Sequence, residues 1–143
     1  MTMPANKTFF ATPQDAEAAF YEAIERADLE ALMSVWCDEE EVVYVSPGGP
    51  RISGYANVRE AWQAVFEGGA RMHFRISTLS AVVNPFTAIH SVVEKITIEG
   101  QADDLTPVVA TNIFLKGALG WRLVLHHASP SPPESGFFAQ VLH

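Results

Sequence analysis

The spacing of the apolar residues changes once along this chain, between Gly69 and Arg71, and that change restricts the fold more than any single motif. Before it, apolar side chains recur at helical spacing. After it they alternate, in long stretches separated by turn residues. Helical spacing buries one stripe and alternation buries one face of a sheet. Helices first and a long sheet second is an α+β layer arrangement. The spacing predicts strands at about 71–83, 86–99, 106–117 and 120–129. Asn84-Pro85, an acidic loop from Gly100 to Pro107 and the turn from Lys116 to Gly120 join them. Short connections of this kind make neighbouring strands antiparallel.

The first half reads as three helices around one short strand. Residues 1–11 show no periodicity and are expected to be a flexible leader. Thr12 is a hydroxyl N-cap, with Pro13 at the first helical position and Asp15 three residues on. Ala16, Ala19, Phe20, Ala23, Ile24 and Ala27 form the apolar stripe of that helix. Asp28 caps a second helix bearing Leu29, Leu32, Met33 and Trp36, and the acidic run Asp38–Glu41 reads as a solvated turn. Val42–Ser46 has strand composition, with Tyr44 and Ser46 on one face. The chain then turns on Pro47, Gly48, Gly49 and Pro50 and passes through Ser53-Gly54 into a third helix. Val58, Ala61, Trp62, Val65 and Phe66 supply its apolar face, and Gly68-Gly69 stop it. The expected organisation is one domain over 12–129 and a C-terminal tail over 130–143, because the Pro/Ser-rich run from Ser129 to Gly136 cannot continue a ladder.

Charge and composition exclude several functions. The net charge of −8 over 143 residues is the wrong sign for nucleic acid or an anionic membrane surface. Cys37 is the only cysteine, so neither an intrachain disulfide nor a cysteine metal cluster is expected. No apolar stretch reaches the ~18 residues of a membrane span and no signal segment is evident, which predicts a cytoplasmic protein. HExxH, a phosphate-binding glycine loop and G-x-S-x-G are all absent, so no metal and no cofactor is expected.

Three segments together resemble the SnoaL-like proteins of the nuclear transport factor 2-like superfamily, which also contains ketosteroid isomerase. They are the Ala-Asp-Leu-Glu corner at Ala27–Glu30, the turn–Gly–helix run from Gly49 to Trp62 (GPRISGYANVREAW), and the closing GWRLVLHHAS from Gly120 to Ser129. The closing strand is also similar to the association domain of calcium/calmodulin-dependent kinases. The resemblance implies a cone-shaped α+β barrel, with three N-terminal helices packed on a strongly curved mixed or antiparallel sheet around a cavity. It also implies a homodimer through the sheet, where Val93, Ile113 and Leu115 are the apolar residues on the non-cavity face. Ketosteroid isomerase needs a carboxylate base before a proline at the end of the first strand, and a tyrosine and a protonated aspartate as oxyanion donors. Here Ser46 stands at the base position, Phe20 at the tyrosine position with Tyr21 beside it, and Asn112 at the aspartate position. Steroid isomerisation is disfavoured accordingly.

Strict alternation nominates the cavity lining. Ala110, Asn112 and Phe114 share a face, as do Val92, Glu94, Ile96 and Ile98, with His90 near the rim. Arg71, His73, Arg75 and Ser77 share another. On the last strand Leu123, Leu125, His127 and Ser129 point in and His126 points away. The candidate pocket is Phe20, Trp36, Tyr44, Ser46, Trp62, Phe66, His73, Val92 and Phe114. The candidate acid/base groups are Glu94 and His127, with Asn112 as a donor to a carbonyl. Either Lys95 points in and Glu94 out, or Glu94 is a buried acid with a histidine partner, His127 or His73; the second is favoured because an inward carboxylate is costly unless paired. Two functions fit this pattern. One is an enzyme or binder of a small, mostly apolar organic molecule, with isomerase, cyclase or dehydratase chemistry. The other is a non-catalytic ligand-binding or association module.

Overall fold

A computed structural model describes residues 8–38, 40–101 and 107–131. In chain order the elements are α1 (Pro13–Glu25), α2 (Leu29–Val35), β1 (Val43–Val45), β2 (Arg51–Ser53), α3 (Tyr55–Glu67), β3 (Met72–Val83), β4 (Thr87–Ile98), β5 (Val108–Gly117) and β6 (Gly120–Pro130). The helix starts are local. Thr12 Oγ1 accepts from the Asp15 amide and an Asp28 carboxylate oxygen accepts from the Ala31 amide, each at 3.0 Å. These side chains satisfy amides that have no partner inside the helix.

The strands form one six-stranded sheet in the order β2-β1-β6-β5-β4-β3. β1 runs parallel to β6 and every other pair is antiparallel, so the cone is a mixed sheet. The strand β2 was not anticipated. The Pro/Gly corner, with Gly48 at φ 73, turns tightly enough for Arg51–Ser53 to fold back on Val43–Val45. The register slips at Thr78/Ser80 between β3 and β4, and at Ile113/Phe114 between β5 and β6. Such bulges bend and twist a sheet.

The helices cover the concave face. Phe20, Leu32, Met33, Trp36, Val58, Trp62, Phe114 and Leu123 are buried together. Val65, expected on the apolar face of α3, is exposed instead. Phe10 falls in the stretch expected to be a loose leader, yet it is buried and bridged to Gly120. Residues 1–7, most of the acidic loop and the tail from 132 onward lie outside the described residues. Among the described residues, no helix is long and apolar enough to cross a membrane.

Candidate functional site

His90, Asn112 and His126 sit directly opposite one another on β4, β5 and β6. They form a polar row across the concave face of the sheet. Helix α1 crosses this row, and Glu17 and Tyr21, one turn apart, descend onto it from the same helix face. Glu17 Oε2 accepts from His90 Nδ1 at 2.9 Å and from Asn112 Nδ2 at 3.0 Å. Asn112 Nδ2 also donates to the Tyr21 hydroxyl at 3.1 Å, and Tyr21 donates to Glu94 Oε2 at 2.6 Å. His126 Nδ1 donates to Asn112 Oδ1 at 2.6 Å, leaving His126 Nε2 3.8 Å from Glu94 Oε2. All six side chains belong to buried residues.

Burial decides the charge state of this network. Glu94 is raised from its ordinary 4.5 to about 7, first by loss of solvent and further by the Glu17 carboxylate, against the Tyr21 hydrogen bond that lowers it. His126 is lowered from 6.5 to about 3, again chiefly by burial, with His127 adding to the effect. The Tyr21 phenol is driven far above its ordinary value by burial and then by Glu94, so it stays protonated. The site therefore pairs a carboxyl that changes protonation near neutral pH with a neutral imidazole and a fixed phenol donor.

Aromatic rings wall the network. Phe20 lies 5.0 Å from both the Tyr21 and His126 rings, and Tyr44 stacks on Trp62 at 4.7 Å and on His126 at 6.0 Å. Burial raises the Tyr44 phenol to about 12, opposed by a hydrogen bond with Ser46. Trp36, Val92 and Phe114 are buried in the interior, whereas Ser46 and Phe66 are half-buried. Two expected side chains are elsewhere. His73 is exposed and lies 3.5 Å from Glu99. His127 is exposed on the outer face, and His126 takes the interior place.

The bulge explains the exchange of histidines. Phe114 faces Leu123 but Ile113 faces Leu125, so Val124 is an extra residue on β6. One inserted residue reverses every later side chain, and the inward set is Trp121, Leu123, His126 and Ala128 rather than Leu125 and His127. His73 points out because Met72, Phe74 and Ile76 form the half-buried parity of β3. Glu94 is buried and Lys95 exposed, but the hydroxyl of Tyr21, rather than a histidine, is its hydrogen-bond partner. His90 is buried at 2% exposure rather than placed at a rim. Asn112 has both amide hydrogens engaged and its oxygen occupied, so it orients the network and has no hydrogen left for a ligand carbonyl.

Glu17 escaped the sequence reading because it is polar, and Tyr21 entered it only as the neighbour of Phe20 at the tyrosine position. Their signal was positional: both flank Phe20 and Ile24 on the buried stripe of α1. Among the described residues no three His, Cys, Asp or Glu side chains are arranged to hold a metal. A surface cleft of about 290 Å³ lies elsewhere, between the end of α2, Tyr55 and the β5–β6 turn, with Cys37 and Arg122 in its wall. Of the expected pocket residues, Trp36 alone lines it.

A model of the SnoaL-like domain matches residues 14–133. A crystal structure from Thiobacillus denitrificans, provisionally described as a calcium/calmodulin-dependent protein kinase type II association domain, superposes with a TM-score of 0.79 at 33% identity, covering 86% of this chain and 98% of that one. A protein from Streptomyces avermitilis, provisionally described as a dehydratase of the NTF2-like family, superposes with a TM-score of 0.75 at 34% identity, covering 82% and 92%. Among curated proteins, the F-box protein SKIP8 of Arabidopsis thaliana is 24% identical over 126 residues, which is 86% of this chain and 52% of that protein. The chain thus spans about half the length of that relative. With the family model spanning residues 14–133 and the α+β fold in agreement, the chain belongs to the SnoaL-like family of the nuclear transport factor 2-like superfamily.

Proposed function

We propose that the protein binds a small, mostly apolar, neutral organic molecule inside the cone, and that Glu94 and His126 act there as an acid/base pair. The observation that carries this reading is the placement of the Glu94 carboxyl. It is buried, held by Tyr21 at 2.6 Å, faces His126 Nε2 at 3.8 Å, and is raised to about 7. A buried polar network is expensive relative to an apolar core, and a carboxyl that titrates near neutral pH beside an imidazole is what proton transfer requires. The buried charged and polar side chains among the described residues include two carboxylates and no Lys or Arg, which disfavours an anionic ligand. The aromatic walls favour a flat apolar body, and the bare Nε2 of His126 favours a hydroxyl on it.

The reaction class this supports is isomerase-, cyclase- or dehydratase-type proton transfer. The description given to the Streptomyces neighbour agrees with the last. Ketosteroid isomerisation is disfavoured, because Ser46, where that enzyme has its carboxylate base, cannot take an α-proton without a base of its own. The test is a thermal-shift series with neutral hydroxylated aromatics, from phenol to 2-naphthol, on the wild type and on Glu94→Gln. A rise in the melting temperature of the wild type that is lost in the variant, with the unliganded variant no less stable, is the expected result. No rise with any member would sink the reading.

Assembly through the sheet has its own support. Val82, Ile89, Ile113, Leu125 and Val43 lie in one cross-strand row spanning five strands of the outer face. Val82 is 63% and Ile89 41% exposed. An apolar row of this kind on a face that the helices do not cover suits a two-fold contact with a second copy. The homodimer is compatible with ligand binding on the opposite face, and without a ligand it would leave the protein an association module.

A further inference from the structure

Asn112 stands at the centre of the network, and its amide could be seated in either of two ways. In the observed seating, Nδ2 faces Glu17 Oε2 at 3.0 Å and Oδ1 takes the proton of His126 Nδ1 at 2.6 Å. Exchanging the two ends would set the amide oxygen against Glu17 Oε2, acceptor against acceptor. It would also set the NH2 group against His126 Nδ1, which must then be bare. The single proton of the neutral imidazole would move to Nε2, which faces Glu94 Oε2 at 3.8 Å. The exchanged seating thus gains a histidine–carboxyl contact that the observed one lacks. While Glu94 is ionised, the one Tyr21 hydrogen goes to Glu94 Oε2 and Tyr21 also favours the observed seating. Once Glu94 is protonated Tyr21 no longer chooses, because its hydroxyl can accept from Glu94 and donate to the amide oxygen. Glu17 does choose, since its oxygen loses a donor and meets a lone pair. His90 Nδ1, on the same oxygen at 2.9 Å, keeps that oxygen in place.

We propose that Glu17 is a positioning residue that fixes the tautomer of His126 through Asn112, so that His126 presents a bare Nε2 to Glu94. This rests on Glu94 and His126 being the acid/base pair of the proposed function. Its consequence for that pair is directional. A bare Nε2 can receive a proton from a bound hydroxyl or from protonated Glu94, whereas a protonated Nε2 of a neutral ring could only donate one.

The test is the ring ¹⁵N NMR spectrum of His126 at about pH 5.5, where Glu94, raised to about 7, carries its proton and Tyr21 does not choose. It reports directly which nitrogen carries the proton and involves no ligand. In the wild type the proton should be on Nδ1. In Glu17→Met, which removes the acceptor, it should move to Nε2. In Glu17→Gln, whose carbonyl oxygen can still accept from both His90 and Asn112, it should stay on Nδ1. A wild-type proton on Nε2, an unchanged tautomer in Glu17→Met, or a switch in Glu17→Gln as complete as in Glu17→Met would each overturn the proposal. Glu17→Leu replaces Glu17→Met if the latter does not fold, and the wild-type tautomer is decisive against the proposal without any variant. A tautomer that behaves as described in a protein that ignores hydroxylated aromatics would sink the functional reading and leave this one standing.

Discussion

Glu94 and His126 are displaced by the same cause in opposite directions, and their effects on stability oppose each other. Burial raises Glu94 from 4.5 to about 7. The folded protein therefore holds a proton that the unfolded chain releases. The stability this contributes is complete below pH 4.5 and is lost as pH rises through 7, about 3 kcal/mol in all at 1.36 kcal/mol per unit. Burial lowers His126 from 6.5 to about 3. Here the unfolded chain takes up a proton that the folded protein refuses, so the contribution is complete above pH 6.5 and is lost as pH falls toward 3. Between pH 4.5 and 6.5 the two slopes cancel. Glu94→Gln removes one of them, and the variant should lose about 1.4 kcal/mol per pH unit more than the wild type on acidification across that window. At pH 8 it should be the more stable protein, by up to about 3 kcal/mol. Urea unfolding of both proteins at pH 5, 6.5 and 8 measures this, and parallel pH profiles would refute it.

Among the elements, β6 determines the site. The residue added at Val124 turns His126 inward and brings it opposite Asn112, and the same strand carries the parallel pairing to β1 that places Tyr44 beside it. The strand begins at Gly120, which has φ +88 and packs against the backbone of Phe10 with no room for a Cβ. Two costs add at this position: a left-handed backbone that L side chains avoid and a contact with backbone that cannot rotate away. Gly120→Ala should destabilise the protein by at least ~1–3 kcal/mol, read as a fall in the urea midpoint at unchanged slope. A midpoint within error of the wild type would show that the start of β6 is not held by Phe10.

For the whole molecule, one side of the sheet carries the polar row under α1 and the other carries the apolar row from Val82 to Val43. Light scattering at micromolar concentration should give twice the chain mass of 15.6 kDa. Ile89→Glu, a substitution at a side chain already 41% exposed, should give the monomer with the melting temperature of the isolated chain little changed, because no core contact is removed. A wild-type monomer, or a variant that stays dimeric, would rule out this face. Val82 lies on β3, the edge strand of the sheet, so the contact is expected to reach the sheet edge.

Periodicity determined the order of helices and strands apart from β2, and the long strand boundaries to within one or two residues, because each face of a helix or strand is decided by its immediate neighbours. The inward parity of Glu94, Asn112 and Phe114 was legible for the same reason: β4 and β5 run without a slip over those positions. The identity of the interior histidine was not legible. The bulge at Val124 is a feature of the pairing between β5 and β6, which alternation along β6 does not reveal, and one inserted residue reverses the parity of everything after it. Nor could local spacing bring Glu17 and Tyr21 to partners 73 to 95 positions away. A polar residue on a helical stripe reads as an interruption of the core until the tertiary structure supplies, on a strand far along the chain, the acceptor or donor that makes its burial tolerable.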